Sequence, residues 1–234
     1  MEKGYKNISF LFIAILAIIV LGFYKTYFGL FPKFDKVTTI QHIHGLLFTT
    51  WFLLLIIQPL LIRYKKYKWH RILGRCTYVL VPLLIISIHF IAQEAYLNAV
   101  AAHVPQKKIL VILYFPTYQI LDFALLYLLA IANVKNTPSH MRYMITTSLA
   151  IVGAGMRRVF LHWFGMSGPD VVLYAFLLTD SILIGLIFFD RIKGSTNKAY
   201  LISLGILAVS QLGFYFIPNT AWWQSVCGYF TQYF

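Results

Sequence analysis

Acidic residues are scarce in this chain: only 7 of its 234 residues are Asp or Glu, and all charged residues together make up 12% of the sequence. Hydrophobic residues, by contrast, make up 60% and aromatic residues 18%. Apolar runs of roughly 18 residues or more, the length that crosses a bilayer, recur from one end of the chain to the other. The composition therefore predicts a polytopic membrane protein.

Several motifs that announce a known chemistry are also missing. The sequence has no Gly-x-x-x-x-Gly-Lys phosphate loop, no His-Glu-x-x-His, no Gly-x-Ser-x-Gly, and no lysine in its last apolar run that could hold a retinal. The two cysteines, Cys76 and Cys227, lie far apart and predict neither a disulfide framework nor a zinc knuckle. These absences argue against nucleotide-driven chemistry, zinc proteolysis and rhodopsin-type photochemistry.

The apolar runs predict an all-α fold, a polytopic transmembrane bundle of seven helices built by one integral membrane domain over residues 1–234. Most of the runs are long enough for a hydrocarbon core of about 30 Å, and the last two are close to the minimum length. No soluble domain or low-complexity linker interrupts them. The predicted spans cover residues 8–24, 40–62, 76–96, 109–134, 144–163, 171–189 and 200–217.

Basic residues are distributed unevenly between the predicted loops. Thirteen Lys and Arg residues lie on the side of the N-terminus and five on the opposite side. The positive-inside rule then predicts a cytoplasmic N-terminus and an external C-terminus in the cell inner (cytoplasmic) membrane. Because membrane orientation explains the net charge of +13, the expected partner is the lipid bilayer and not nucleic acid.

Five ionisable residues lie inside the predicted spans: Glu94, Asp122, Arg157, Arg158 and Asp180. A charge in hydrocarbon costs about 2.5 to 3.5 kcal/mol on insertion scales, so such residues usually face a protein interior. Two interpretations remain open. The arginines form ion pairs with Asp122 or Asp180 that fix helix packing, or the charges form an anion site or a proton relay.

Polar stripes on several spans predict one outward-facing cavity. On a helix of 3.6 residues per turn, His44 and Gln58 share one face, as do Gln119 and Asp122. Depth counted from the span ends places Arg158 near the outer boundary. A cavity lined by Asp122, Arg158 and Asp180 would suit a small-molecule transporter or binding protein.

Four histidines are candidate ligands of a cofactor. His70 and His140 each lie beside an arginine, where the chain enters the membrane from the cytoplasmic side. They either contact lipid phosphates or act as axial ligands of a haem b or ligands of a transition metal. A second metal site is expected nearer the outside, formed by His44, His89 and Glu94.

Two short elements carry a resemblance to known proteins. The His-Arg-x-x-Gly element at 70–74 and the His-x-Arg-x-Met element at 140–144, together with His44, Gln58 and Arg158, resemble a large group of uncharacterised bacterial multi-pass membrane proteins. The resemblance covers predicted spans two to five, about half of the chain. It implies a seven-helix membrane fold and brings no established activity.

A weaker resemblance is to the cytochrome b561 group, in which two haems bind through histidine pairs on alternating helices. His70 and His140 are similar to one such pair. The fourth predicted span has no histidine, so His44 lacks a partner in the expected place. The resemblance therefore implies at most one haem site and not a two-haem cytochrome.

Three functions remain open from the sequence. The favoured hypothesis is a redox protein or enzyme that uses intramembrane histidines to bind haem or a metal. The first alternative is a transporter or binding protein with a charged outer cavity. The second is a non-catalytic accessory or signalling protein in which the embedded charges only hold helices together.

Overall fold

Eight α-helices make up most of the protein in a computed structural model that describes residues 3–168 and 170–234. The described residues contain no β-strand, and three short 3-10 helices lie at Lys3–Tyr5, Phe28–Leu30 and Thr231–Tyr233. The all-α prediction is confirmed. The helices are α1 (Ile8–Phe23), α2 (Thr39–Arg63), α3 (Tyr67–Ala101), α4 (Gln106–Ala132), α5 (Thr137–Trp163), α6 (Asp170–Ile192), α7 (Ala199–Phe216) and α8 (Ala221–Phe230).

Six of these helices, α2 to α7, are long and apolar enough to cross a membrane. They also expose large apolar side chains, such as Leu46 at 69% and Val209 at 71%, as expected where lipid replaces water. These features are typical of a multi-pass membrane protein. Helix α1 has 16 residues, or about 24 Å at 1.5 Å per residue, so a seventh span remains a prediction, as does the orientation.

The two elements at residues 70–74 and 140–144 lie in the first turns of long helices. Helix α3 begins at Tyr67 and not at 76, and α5 begins at Thr137 and not at 144. Asn136 caps α5 by accepting a hydrogen bond from the backbone N–H of Ser139 at 3.4 Å. Hydropathy predicted shorter spans because these first turns are polar, and the helices extend beyond the apolar runs.

Helix α5 is the centre of the bundle and packs against α1, α2, α4, α6 and α7. It carries three consecutive hydroxyl residues that are completely buried: Thr146, Thr147 and Ser148. Each hydroxyl donates to a backbone carbonyl oxygen three or four residues earlier in the same helix, at 2.6 to 2.7 Å. These three hydroxyl groups are therefore buried without needing hydrogen-bond partners on the neighbouring helices.

Helices α1 and α5 approach each other closely through two glycines. A Cβ atom on Gly22 would overlap the backbone carbonyl oxygen of Gly155, and a Cβ atom on Gly155 would lie 3.0 Å from the Cα atom of Ile19. Small residues allow such contact between membrane helices. The end of α1 is also tied to α5, because the indole N–H of Trp163 donates to the carbonyl oxygen of Leu21 at 3.0 Å.

The C-terminal helix α8 lies against the beginning of α4. The indole N–H of Trp223 donates to the carbonyl oxygen of Leu110 at 2.7 Å. Cys227 is buried in the same contact, and burial raises the pKa of its thiol to about 11. This thiol therefore stays protonated at neutral pH.

We expect Gly22→Ala to destabilise the protein, because the new methyl group meets backbone and not a movable side chain. Overpacking of this kind costs about 1 to 3 kcal/mol. The matched control is Gly185→Ala, at a helical glycine with open space around it, where alanine is favoured by up to about 1 kcal/mol. Thermal unfolding in detergent should show a lower midpoint for G22A and an equal or higher one for G185A. Equal midpoints for both variants would contradict the close contact.

Candidate functional site

A large cavity of about 770 Å³ lies among α1 to α5, at the end of the bundle where α1 ends and α2 begins. The connection between α1 and α2 contributes part of its wall, including Tyr27 and Phe28, and α6 and α7 contribute one residue each, Val172 and Phe214. Most of the lining side chains are aliphatic or aromatic. The volume and the apolar wall are those of a site for an organic molecule.

Polar residues from four different helices line this cavity. Five of them are residues that the sequence analysis had singled out: His44, Glu94, Gln119, Arg157 and Arg158. Lys36 of the α1–α2 connection also belongs to the wall. Three of the lining residues are thus basic and one is acidic, so the wall carries a net positive formal charge.

Among the residues that the structure describes, Arg157 and Arg158 contact aromatic rings and not carboxylates. The guanidinium carbon of Arg158 lies 4.2 Å from the ring centroid of Phe23, and that of Arg157 lies 5.2 Å from the ring centroid of Phe115. Arg158 donates to the carbonyl oxygen of Ala154 in its own helix at 3.2 Å. The buried Nε of Arg157 has no hydrogen-bond partner in the described part of the chain.

Among the described residues, these arginines form no ion pair with Asp122 or Asp180, the first of the two interpretations left open by the sequence. Asp122 accepts a hydrogen bond from Ser210 at 2.6 Å, and Asp180 accepts one from Gln211 at 3.0 Å. Helix α7 thus supplies neutral donors to both acids. Neither acid lines the cavity, so the predicted cavity lined by Asp122, Arg158 and Asp180 retains Arg158 alone.

The predicted metal site of His44, His89 and Glu94 is not assembled. Within residues 3–168 and 170–234, no three His, Cys, Asp or Glu side chains are grouped so that they could hold a metal ion. His44 Nδ1 is 3.0 Å from the hydroxyl of Ser87, and Glu94 accepts a hydrogen bond from Gln41 at 3.2 Å. The ring of His89 packs against that of Phe234, away from the cavity.

His70, His140 and Gln58 form a separate polar group outside the cavity. The electrostatic influence of His140 and of the Gln58 backbone on His70 indicates that the three residues are neighbours. Nδ1 of His140 donates to the carbonyl oxygen of Ala130 at 2.7 Å, which leaves Nε2 as the nitrogen with a free lone pair. Nδ1 of His70 and Oε1 of Gln58 are buried without a described partner.

A buried ion pair joins α5 to α6 at the end of the bundle opposite the cavity. Nε and Nη2 of Arg142 donate to the two carboxylate oxygens of Asp190, at 2.6 and 2.9 Å. The hydroxyl of Tyr5 donates to the same carboxylate at 2.5 Å, and burial together with this bond raises the pKa of Tyr5 above its ordinary value. Arg142 is completely buried.

Sequence reasoning missed this ion pair. Arg142 lies two residues before the predicted fifth span, and the predicted sixth span ends one residue before Asp190. The two residues are separated by 48 positions in the chain. The available signal was that Asp190 is one of few acids in the chain and follows an apolar run, as a residue at a buried helix end would.

We expect Asp190→Asn to destabilise the protein strongly, because it removes the negative charge that Asp190 places against the buried guanidinium of Arg142. Removal of one partner of a buried ion pair costs about 3 to 5 kcal/mol. Tyr5→Phe removes one hydrogen bond and should cost about 0.5 to 1.5 kcal/mol. Thermal unfolding in detergent should rank wild type above Y5F and Y5F above D190N. A D190N protein as stable as Y5F would show that the ion pair contributes little.

Comparison of the chain with family models, with curated proteins and with solved structures found no match. The resemblance carried by residues 70–74 and 140–144 therefore remains a prediction. The function has to be inferred from the cavity and from the polar groups around it.

Proposed function

We propose that the protein binds an amphipathic anion, a molecule with a carboxylate or phosphate head and a large apolar body, in the cavity among α1 to α5. The observation that carries this proposal is the pair Arg157 and Arg158. Both line a mostly apolar cavity of about 770 Å³, and neither has a carboxylate partner among the described residues.

The two guanidinium groups would bind the head of the ligand. A charge in an apolar interior is costly unless an opposite charge or hydrogen bonds compensate for it. A guanidinium presents its N–H groups in a fork that matches the oxygens of a carboxylate or a phosphate. An anionic ligand would supply the negative charge that Asp122 and Asp180 do not supply, and it would give the Nε of Arg157 an acceptor.

The rest of the wall would bind the apolar body of the ligand. A site of this size holds a molecule much larger than a phosphate or acetate ion. A small inorganic anion would leave aromatic side chains such as Phe48 and Phe115 in contact with water. The apolar wall therefore favours a ligand that covers it with hydrocarbon.

With the N-terminus in the cytoplasm, as the positive-inside rule predicts, the cavity would lie in the outer half of the inner membrane. The protein would then be a transporter or a binding protein for a ligand taken up or released on the outer side.

The Tyr27 hydroxyl lies 2.8 Å from Nδ1 of His42 and holds the α1–α2 connection against α2, beside the cavity.

Replacement of Arg158 by Gln should remove the binding of an amphipathic anion. We expect oleate to raise the midpoint of thermal unfolding of the wild-type protein in detergent, because a ligand that binds only the folded state stabilises it. The increase should be lost in R158Q and reduced in R157Q, since each variant lacks one positive charge of the head-group site. Arg158→Lys keeps the charge without the fork and should retain part of the effect.

Three controls separate this site from general effects of charge or detergent. Arg191→Gln removes an exposed arginine at the opposite end of the bundle and should leave the oleate effect unchanged. Oleyl alcohol tests the need for a charged head, and propionate tests the need for an apolar body. An R158Q protein that oleate protects as well as the wild type would refute the proposal.

A second candidate function rests on one observation: Nδ1 of His70 is buried without a hydrogen-bond partner among the described residues, and His140 is its neighbour. Imidazole nitrogens are common ligands of a haem or a transition metal, which would supply electron-transfer chemistry. Under this hypothesis His70 and His140 are two of the ligands, and Nδ1–H of His140 keeps its bond to Ala130 to orient the ring.

Absorbance and metal analysis of the purified protein test this second function. We expect a bound haem or about one metal ion per chain in the wild type, and loss of it in His140→Ala. His103→Ala, at an exposed histidine in the connection between α3 and α4, is the matched control and should keep the cofactor. A folded wild-type protein that is colourless and free of metal would exclude the histidine site. The proposal of anion binding in the cavity among α1 to α5, here named the anion cavity, would be unaffected.

A further inference from the structure

A groove of about 420 Å³ adjoins the anion cavity on the side of α2 and α3. Its wall consists of Ile40, Phe90, Gln93, Glu94, Leu97 and Asn98. Glu94 and Asn98 also line the anion cavity, so the two spaces share part of a wall. The groove and the cavity that holds Arg157 and Arg158 are therefore neighbours, with Glu94 and Asn98 between them.

The surface around the groove has the character of a lipid-facing surface. Phe90 and Leu97 are 45% and 48% exposed, and the neighbouring faces of α2 and α3 expose Leu46 and Ile86 at 69% and 49%. Both helices are among the six that are long and apolar enough to cross a membrane. In a bilayer these apolar side chains would contact lipid, so the groove would open towards lipid.

We infer that this groove is a lateral entrance through which the ligand passes between the bilayer and the cavity, and that the ligand is consequently a membrane-resident lipid anion such as a long-chain fatty acid. This inference rests on the proposed binding of an amphipathic anion. An acyl chain lying in the groove would stay in apolar surroundings while its head reaches the two arginines.

Polar side chains lie between the groove and the cavity. Gln41 of α2 donates to Glu94 of α3 at 3.2 Å, which links the two helices beside the entrance. The carboxylate of Glu94 is the acidic group of the cavity wall, and it lies on the route of an anionic head. Glu94 would therefore repel the anionic head group, and the two arginines would attract it. This difference favours a ligand that has moved fully into the cavity.

The alternative route, from water, is partly covered. The α1–α2 connection contributes Tyr27, Phe28 and Lys36 to the wall of the cavity. The rings of Tyr27 and Phe34 both contact His42, which holds the connection on α2. A lateral entrance supplies an apolar ligand without removing these contacts.

The entrance can be blocked in a protein that is already folded. Leu97 lines the groove and does not line the cavity, so Leu97→Cys can be modified with benzyl methanethiosulfonate in detergent and then reconstituted into lipid nanodiscs. Cys76 and Cys227 are first replaced by Ser. Val79→Cys, at a side chain 66% exposed on the same helix, is the matched control. Comparison of each variant before and after modification removes effects on folding.

The probe is stearate with a nitroxide on its chain, and the signal is quenching of tryptophan fluorescence after mixing with nanodiscs. The phase of interest is the one that Arg158→Gln abolishes. We expect benzyl modification at position 97 to slow this phase at least tenfold with an unchanged final amplitude, and modification at position 79 to change its rate less than twofold.

Two other results would overturn the inference and can be told apart. An unchanged rate after modification at position 97 would reject the lateral entrance, while the Arg158-dependent amplitude would still support anion binding. Absence of any Arg158-dependent phase in the wild type would reject both the anion site and its entrance.

A photoreactive fatty acid provides a second measurement on the unmodified chain. A stearate with a diazirine on its acyl chain, incorporated into nanodiscs, should label residues 90–98 more than residues 76–86 of the same helix. Equal labelling of both stretches would mean that lipid contacts the groove only as it contacts the rest of α3, and would also overturn the inference.

Discussion

A guanidinium group inside an apolar bundle needs a negative partner, and this requirement organises both ends of the structure. At one end Arg142 has that partner in Asp190, with Tyr5 as a further donor to the carboxylate. At the other end Arg157 and Arg158 face a cavity with no carboxylate within pairing distance among the described residues. Helix α5 carries all three arginines. Arg142 forms an ion pair with Asp190, and about four turns further along the helix Arg157 and Arg158 line the cavity without a described carboxylate partner.

The scarcity of acids makes this difference meaningful. With 7 acidic residues in 234, the chain has few carboxylates that could neutralise Arg157 and Arg158. The acids that do lie deep in the bundle, Asp122 and Asp180, are bound by Ser210 and Gln211 of α7. The wall of the cavity thus keeps a positive charge, and the cation–π contacts with Phe23 and Phe115 hold the arginines in place without neutralising them.

The sequence was sufficient for the features that depend on local composition. Apolar runs predicted an all-α bundle, and the embedded charges pointed to Glu94, Arg157 and Arg158, all of which line the cavity. It was insufficient where the outcome depends on how helices are rotated and packed. Helical spacing cannot say that Asp122 turns to Ser210 of α7 while Arg158 turns to Phe23 of α1, because these contacts join residues far apart in the chain. The start of α3 at Tyr67 was missed for another reason, since hydropathy measures apolarity and a polar turn can still be helical.

The contact between Gly22 and Gly155 has a consequence for motion. With two backbones touching and the indole of Trp163 bonded to the carbonyl of Leu21, α1 and α5 form one rigid unit. Helix α2, by contrast, buries only Trp51, Phe52 and Leu55. A change in the width of the cavity would therefore displace α2 more easily than the α1–α5 wall, which carries the two arginines.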